Sequence, residues 1–274
     1  MLKILIPIDF SIHSDLAIEF GANLCMELDS ELHIIHVVKI FNSAQVGLLN
    51  SNKLIDVLNE DAEKEITDAK AIITSKYHLN NIKTVILNNQ NIADSIENYV
   101  NKNEIDLVIM GTHGSSGIES IVMGHVTKSL INISSVPLIA IPPSYTFNKI
   151  KTIIYASDLK DIEYEIQPIL PLAQLLKAEI HVLHIIPHNH LIETNNNHII
   201  KDLKNKKELV KCQFHIVQHD NIMEGVKAFI NQNPTDLLVM YTHALTLYEK
   251  LFFEGLTRQA LSEKRVPILI LKQS

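Results

Sequence analysis

Gly111, Gly114 and Gly124 carry the clearest chemical signal in this chain. An apolar run leads into Gly111-Thr112-His113-Gly114, and after nine intervening residues comes Gly124, followed by His125-Val126-Thr127 and an amphipathic stretch. Glycine has no Cβ, so the backbone there can turn with positive φ and approach a ligand closely. A glycine where a helix begins leaves N–H groups unpaired at the positive end of the helix dipole, which favours an anion. Thr127, in the first turn of that helix, offers a hydroxyl donor. The chemistry implied is the holding of a phosphate. The competing reading, a tight turn with close helix–strand packing, needs the same glycines, and it is the third glycine with Thr127 behind it that favours the phosphate.

Two further residues have a chemical and a plain reading. Asp9 ends the first apolar run. Its carboxylate could accept a ribose hydroxyl or help hold Mg²⁺, or it could cap a helix starting near Ser11. Val37 could pack on a purine face or simply fill the core. Histidines are numerous, 14 in all, and invite a metal reading. His33 and His36 are three apart on an expected strand, so they point to opposite faces, as do His181 and His184. His188 and His190, with His198 nearby, read as a polar surface loop, since zinc needs three or four converging ligands. No GxSxG, Cys–His or HExxH arrangement is present. No base or arginine finger stands beside the glycine loop, so efficient ATP hydrolysis is not expected; Asp9 with Mg²⁺ leaves slow hydrolysis open.

The elements that must position these residues alternate. Residues 2–8, 32–38, 82–87, 105–110 and 137–141 are apolar throughout, as suits parallel strands buried on both faces. Segments 13–28, 52–78, 91–102 and 124–133 read as helices, with Ile92, Ile96 and Tyr99 on one face of the third. Such alternation implies an α/β fold with a doubly wound parallel sheet. The glycine loop then lies at the carboxyl end of a strand, where such sheets bind ligands.

The chain repeats itself. Leu5-Ile6-Pro7-Ile8-Asp9 aligns with Ile154-Tyr155-Ala156-Ser157-Asp158, and His33–Val38 with His181–Ile186 at an offset of 148. Asp106–Met110 matches Asp236–Met240, and Val136-Pro137 matches Val266-Pro267, both at 130, so the second copy lacks 18 residues after its second strand. Two tandem five-stranded domains are expected, residues 1–143 and 149–274, joined through Pro142-Pro143-Ser144-Tyr145. A length of 274 residues fits two domains. The formal charge of −7 comes from interspersed residues and argues against a nucleic-acid groove. The two cysteines form no disulfide framework and read as core residues in a reducing compartment. The opening MLKILIPIDF, broken by Pro7 and Asp9, does not read as a signal peptide, and no run is long enough to span a bilayer. A cytoplasmic protein is expected.

These residues resemble the universal stress protein family (UspA-like), over essentially the whole chain and twice. ATP-binding members carry G-x2-G-x9-G-[S/T]. Gly111, Gly114 and Gly124 have that spacing, Pro7-Ile8-Asp9 matches the opening strand-Pro-x-Asp, and His36-Val37 matches the H-V that ends the second strand. The resemblance implies an adenine nucleotide alpha hydrolase-like fold and an ATP site that could also take Mg²⁺. Adenosine would lie near Pro7, Ile8, Asp9, Val37 and Met110, and the phosphates over Gly111, His113, Gly114, Gly124, His125, Val126 and Thr127. His125 stands where the family has Ser or Thr; the backbone N–H survives, while the ring could add charge or narrow the pocket. The second copy departs further, with Tyr241 for Gly111, Ala244 for Gly114, Glu254 for Gly124 and Gly255 for His125, although Asp158 and Thr257 remain. Tyr241 would fill space and Glu254 would repel phosphates, so the second copy is expected to be a structural or regulatory partner. The family pairs domains through the last strand, which implies an internal pseudo-dimer here; further homodimerisation and protein partners stay open. The function implied is a nucleotide-dependent stress regulator, against a nucleotide-free scaffold or small-ligand sensor, or a slow ATPase.

Overall fold

Ile4, Leu5 and Ile6 are consecutive and all fully buried, which a strand achieves only when both faces of its sheet are covered. The computed structural model describes residues 1–40, 51–112, 124–143, 145–187, 203, 209–241 and 265–272. Two units divide the chain, Met1–Phe147 and Asn148–Ser274. The first runs β1 (Lys3–Ile8), α1 (Ile12–Leu28), β2 (Glu31–Lys39), α2 (Ser51–Tyr77), β3 (Ile82–Asn89), α3 (Ile92–Asn103), β4 (Leu107–Gly111), α4 (His125–Ile133), β5 (Leu138–Ile141). All strand pairs are parallel, in the order β3-β2-β1-β4-β5.

The helices start where the sequence supplies caps. Ser11 caps α1, its Oγ accepting from Ser14 N at 3.3 Å, and Asn91 caps α3, its Oδ1 accepting from Asp94 N at 3.3 Å. β4 begins two residues later than its apolar run. Asp106 N donates to Lys3 O (2.9 Å) while its carboxylate accepts from Lys3 N (2.8 Å), so Asp106 clamps the entry to the strand instead of joining the ladder.

The second unit runs β6 (Thr152–Ala156), α5 (Ile162–Glu165), α6 (Ile169–Leu176), β7 (Glu179–Ile186), β8 (Gln213–Gln218), α7 (Ile222–Gln232), β9 (Leu237–Tyr241) and β10 (Ile268–Leu271). Its strands are parallel in the corresponding order, β8-β7-β6-β9-β10. The change of repeat offset is visible in the register, where His33 pairs with Lys83 and His181 with Gln213.

Cys25 and Cys212 are free and buried. Burial pushes their thiols up to about 12 and about 11 respectively. Among the described residues no helix is long and apolar enough to cross a membrane.

Candidate functional site

The strand order reverses beside β1: the chain moves outward through β2 and β3, then returns to place β4 on the other side of β1. At such a point the crossovers diverge and leave a crevice outside the carboxyl ends of the strands. Unit 1 has a cavity there of about 280 Å³. Pro7, Ile8 and Asp9 line it from the end of β1, Val37 from β2, Met110 and Gly111 from β4, and Gly124, His125, Val126 and Thr127 from the start of α4. Those are ten of the twelve residues singled out from the sequence. His113 and Gly114 lie outside the described residues, as do Ala244, Glu254, Gly255 and Thr257 of the second copy and the histidines at 188, 190 and 198.

One end of the crevice is apolar. Ile8, Val37, Met110 and Ile96 are each less than a tenth exposed, and Ile92 and Ile96 reach in from α3. At the other end stands the N-terminus of α4. Gly124 is its N-cap and no side chain caps it. The Gly124 N–H donates to Thr112 O (2.8 Å), which ties the helix start to the end of β4. The next N–H groups, of His125, Val126 and Thr127, have no carbonyl a turn earlier within the helix and give this end the partial positive charge that suits an anion. His125 is exposed and lines the mouth of the cavity.

Thr127 acts differently from its sequence reading, while Gly111 and Asp9 take the plainer of the two readings given for each. The Thr127 hydroxyl, expected to donate to an anion, donates to Gly111 O at 3.0 Å and is buried. It braces the two sides of the loop. Gly111 is the last residue of a strand and has no left-handed φ; a Cβ there would stand 2.7 Å from His13 O, so the missing side chain admits the first turn of α1. Asp9 Oδ1 accepts from Ser11 N (3.2 Å), Ser11 Oγ (2.6 Å) and Ser14 Oγ. The carboxylate thereby assembles the start of α1 while lining the crevice.

Ser14, Ile35, His36, Ile92 and Ile96 also line the cavity and were not picked out as site residues. The spacing of Ile92 and Ile96 showed an apolar helix face, and what the sequence could not show is that this face roofs the switch point. His36 Nδ1 donates to Ile8 O at 2.9 Å, and the Phe10 ring lies 4.5 Å from the imidazole. His33 points away from it, fully buried, with Nδ1 2.9 Å from Tyr99 Oη and Nε2 3.2 Å from Glu31 Oε1. Burial pulls the His33 imidazole below its ordinary value. Lys83 holds the Glu31 carboxyl below its own.

The pattern of the universal stress protein family matches residues 1–142. The chain belongs to that family. A universal stress protein of Methanocaldococcus jannaschii is 28% identical over 143 residues, covering 51% of this chain and 81% of its own. One of Bacillus subtilis is 25% identical over 147 residues, covering 51% and 97%. Among solved structures, a universal stress protein from Archaeoglobus fulgidus superposes with a TM-score of 0.76 at 15% identity, covering 99% of this chain and 98% of that one. At that identity the likeness shows the fold, and it extends the family architecture across both units.

Proposed function

We propose that unit 1 binds an adenine nucleotide, ATP with its Mg²⁺, in the crevice at the β1/β4 switch point, and that the protein serves as a nucleotide-dependent stress regulator in the cytoplasm. The observation that carries this is the polarity of the crevice: an apolar slot walled by Ile8, Val37, Ile92, Ile96 and Met110 at one end, an uncapped helix N-terminus at the other. A base is flat and apolar on its faces, and its phosphates are anionic, so the two ends match the two ends of a nucleotide. A volume of about 280 Å³ sits near the lower edge of the roughly 300–1,000 Å³ usual for small-molecule sites, which suits a nucleoside with its phosphates running along α4 towards solvent.

Thermal melting of the full chain against Mg-ATP tests this. A ligand of the folded state at a hundredfold excess over its dissociation constant stabilises by about 2.7 kcal/mol. The saturable upward shift should vanish in Ile92→Trp, whose ring would fill the apolar slot from α3. An absent shift at millimolar ATP in the parent chain would replace this reading with that of a nucleotide-free scaffold.

A further inference from the structure

A second cavity, of about 430 Å³, lies between α1 and α2 on the helical face of unit 1. Its floor is apolar: Ile73 is 1% exposed, while the adjacent Ile72 is 63% exposed and lines the same groove. Asp15 and Glu19 of α1 stand on one side, four apart, and Glu65 and Asp68 of α2 on the other, three apart. Side chains at those spacings are neighbours on a helix surface, so each pair sets like charges beside one another, an arrangement that disfavours the free protein and rewards an incoming cation. Among the described lining residues Lys76 is the one cation; its ammonium lies over the Tyr77 ring, 5.0 Å from the centroid, and is also attracted by Glu19. The four carboxylates are spread along two helices, and among the described residues no group of three or more His, Cys, Asp or Glu can hold a metal ion. The charge therefore suits several separated cations rather than one.

We infer that this groove docks a basic amphipathic segment of a protein partner. Apolar side chains of the segment cover Ile72 and the groove floor, and Lys or Arg on its flanks meet the two carboxylate pairs, the arrangement of a helix in a groove. An anionic lipid surface would be repelled by the same charges. Phe10 closes one part of the groove, and its ring packs 4.5 Å from His36, which lines the crevice on the other side. The docking surface thus shares a wall with the switch-point cavity, although docking does not depend on what that cavity binds.

The test uses the full chain and a fluorescent peptide of about 18 residues with leucine and lysine at helical spacing, beside a leucine–glutamate peptide of the same pattern. The lysine peptide should bind saturably by anisotropy and shift backbone amide signals of residues 10–19 and 65–77. Glu65→Gln with Asp68→Asn should weaken it by about tenfold, with the loss mainly in the on-rate and a shallower salt dependence. Ile72→Ser should weaken it several-fold. Glu60→Gln with Glu63→Gln, which removes equal charge from exposed α2 positions outside the lining, should leave binding unchanged. The inference is overturned by no saturable binding of the lysine peptide, by equal binding of the glutamate peptide, by equal losses in the two double variants, or by amide shifts centred elsewhere.

Discussion

Gly111 and Tyr241 occupy the same place in the two units, each the last residue of the strand that pairs with the first and last strands of its sheet. At Gly111 the missing Cβ lets α1 run unbroken from Ile12 to Leu28 over the strand end. Tyr241 allows no such approach, and the counterpart helix is divided into α5 and α6 at Ile166–Pro168. The break and the tyrosine fit together. Pro168 has no N–H for the Tyr164 carbonyl, Ile169 N turns to Ile166 O (3.0 Å), and the Glu165 carbonyl freed in this way accepts from Tyr241 Oη at 2.7 Å. Tyr155 Oη donates to the buried Glu165 carboxylate, and the two tyrosine rings meet edge to face. Burial first, then the Glu165 hydrogen bond, raises the Tyr155 phenol far above its ordinary value. Where glycine admits a continuous helix in unit 1, unit 2 packs a tyrosine against a broken one.

What the units share belongs to the fold. His184 Nδ1 donates to Ser157 O (2.8 Å) as His36 does to Ile8 O, and Asp236 clamps Lys151 N and Thr152 N (both 2.9 Å) as Asp106 clamps Lys3 N. Phe10 and Leu159 both have positive φ, 60° and 67°. A feature present in both units, whichever residue ends the fourth strand, answers to chain geometry.

The largest expected effect comes from breaking the packing of Tyr241 on the divided helix. Tyr241→Ala removes a buried ring and orphans the Glu165 carbonyl, and should cost about 3–5 kcal/mol in urea unfolding. A loss under 1 kcal/mol would mean the ring and the helix break are independent. The reciprocal change, Gly111→Ala, drives a Cβ against backbone, where no side chain can swing aside. It should cost about 1–3 kcal/mol and diminish any Mg-ATP melting shift, because α1 carries Ser14 into the crevice wall.

Strands, helices and repeat were legible because consecutive apolar runs and helical spacing are local properties, and the offsets at His33 and Lys83 follow directly from sequence. Part of the crevice lining was legible as strand ends and a helix start, and part came only with the family resemblance; Ser14, Ile35, His36, Ile92 and Ile96 were not read as site residues. The partners of the polar groups were not legible. Nothing in Thr127 says that its hydroxyl turns back to Gly111 O, and nothing in Gly111 says that the atom it must avoid belongs to His13, 98 residues earlier. The break at Pro168 was not read from the sequence, and only the packing of β9 shows which carbonyl it releases and which hydroxyl finds it.

Asp9 and Asp158 sharpen the comparison at a smaller scale. Asp9 Oδ1 collects three donors from the start of α1, whereas exposed Asp158 accepts from Lys160 N (3.0 Å) and pairs with the Lys160 ammonium (3.1 Å). Asp9→Asn should cost about 0.5–2 kcal/mol, the range for a disrupted helix start. Asp158→Asn should stay within about 0.5 kcal/mol, as for an exposed pair. Equal losses in chemical denaturation would show that the Ser11–Ser14 cluster adds nothing to an ordinary turn.

The smallest effect concerns the histidines beneath α3 and α7. His33 sits against Tyr99, Glu31 and Lys83. In unit 2 the residue facing from the helix is Phe229, Gln213 replaces Lys83, and His215 Nε2 takes the place of the tyrosine hydroxyl, 3.1 Å from His181 Nδ1, with Glu179 3.5 Å from His181 Nε2. Burial pulls the His215 imidazole down, and the neighbouring His181 adds to it. A histidine whose folded value lies below its ordinary 6.5 contributes stability that is complete above that pH and is lost as pH falls through the folded value. Glu31 is also lowered, from 4.5, so its contribution is lost only in more acid solution. The melting temperature should therefore fall between about pH 7 and pH 5, and His33→Gln with His215→Val should flatten the slope. His215→Val alone restores the residue that unit 1 has at Val85 and should remove only the share of unit 2. An unchanged slope in the double variant would place the acid sensitivity in carboxylates, and with it the difference between the two units at this level would disappear.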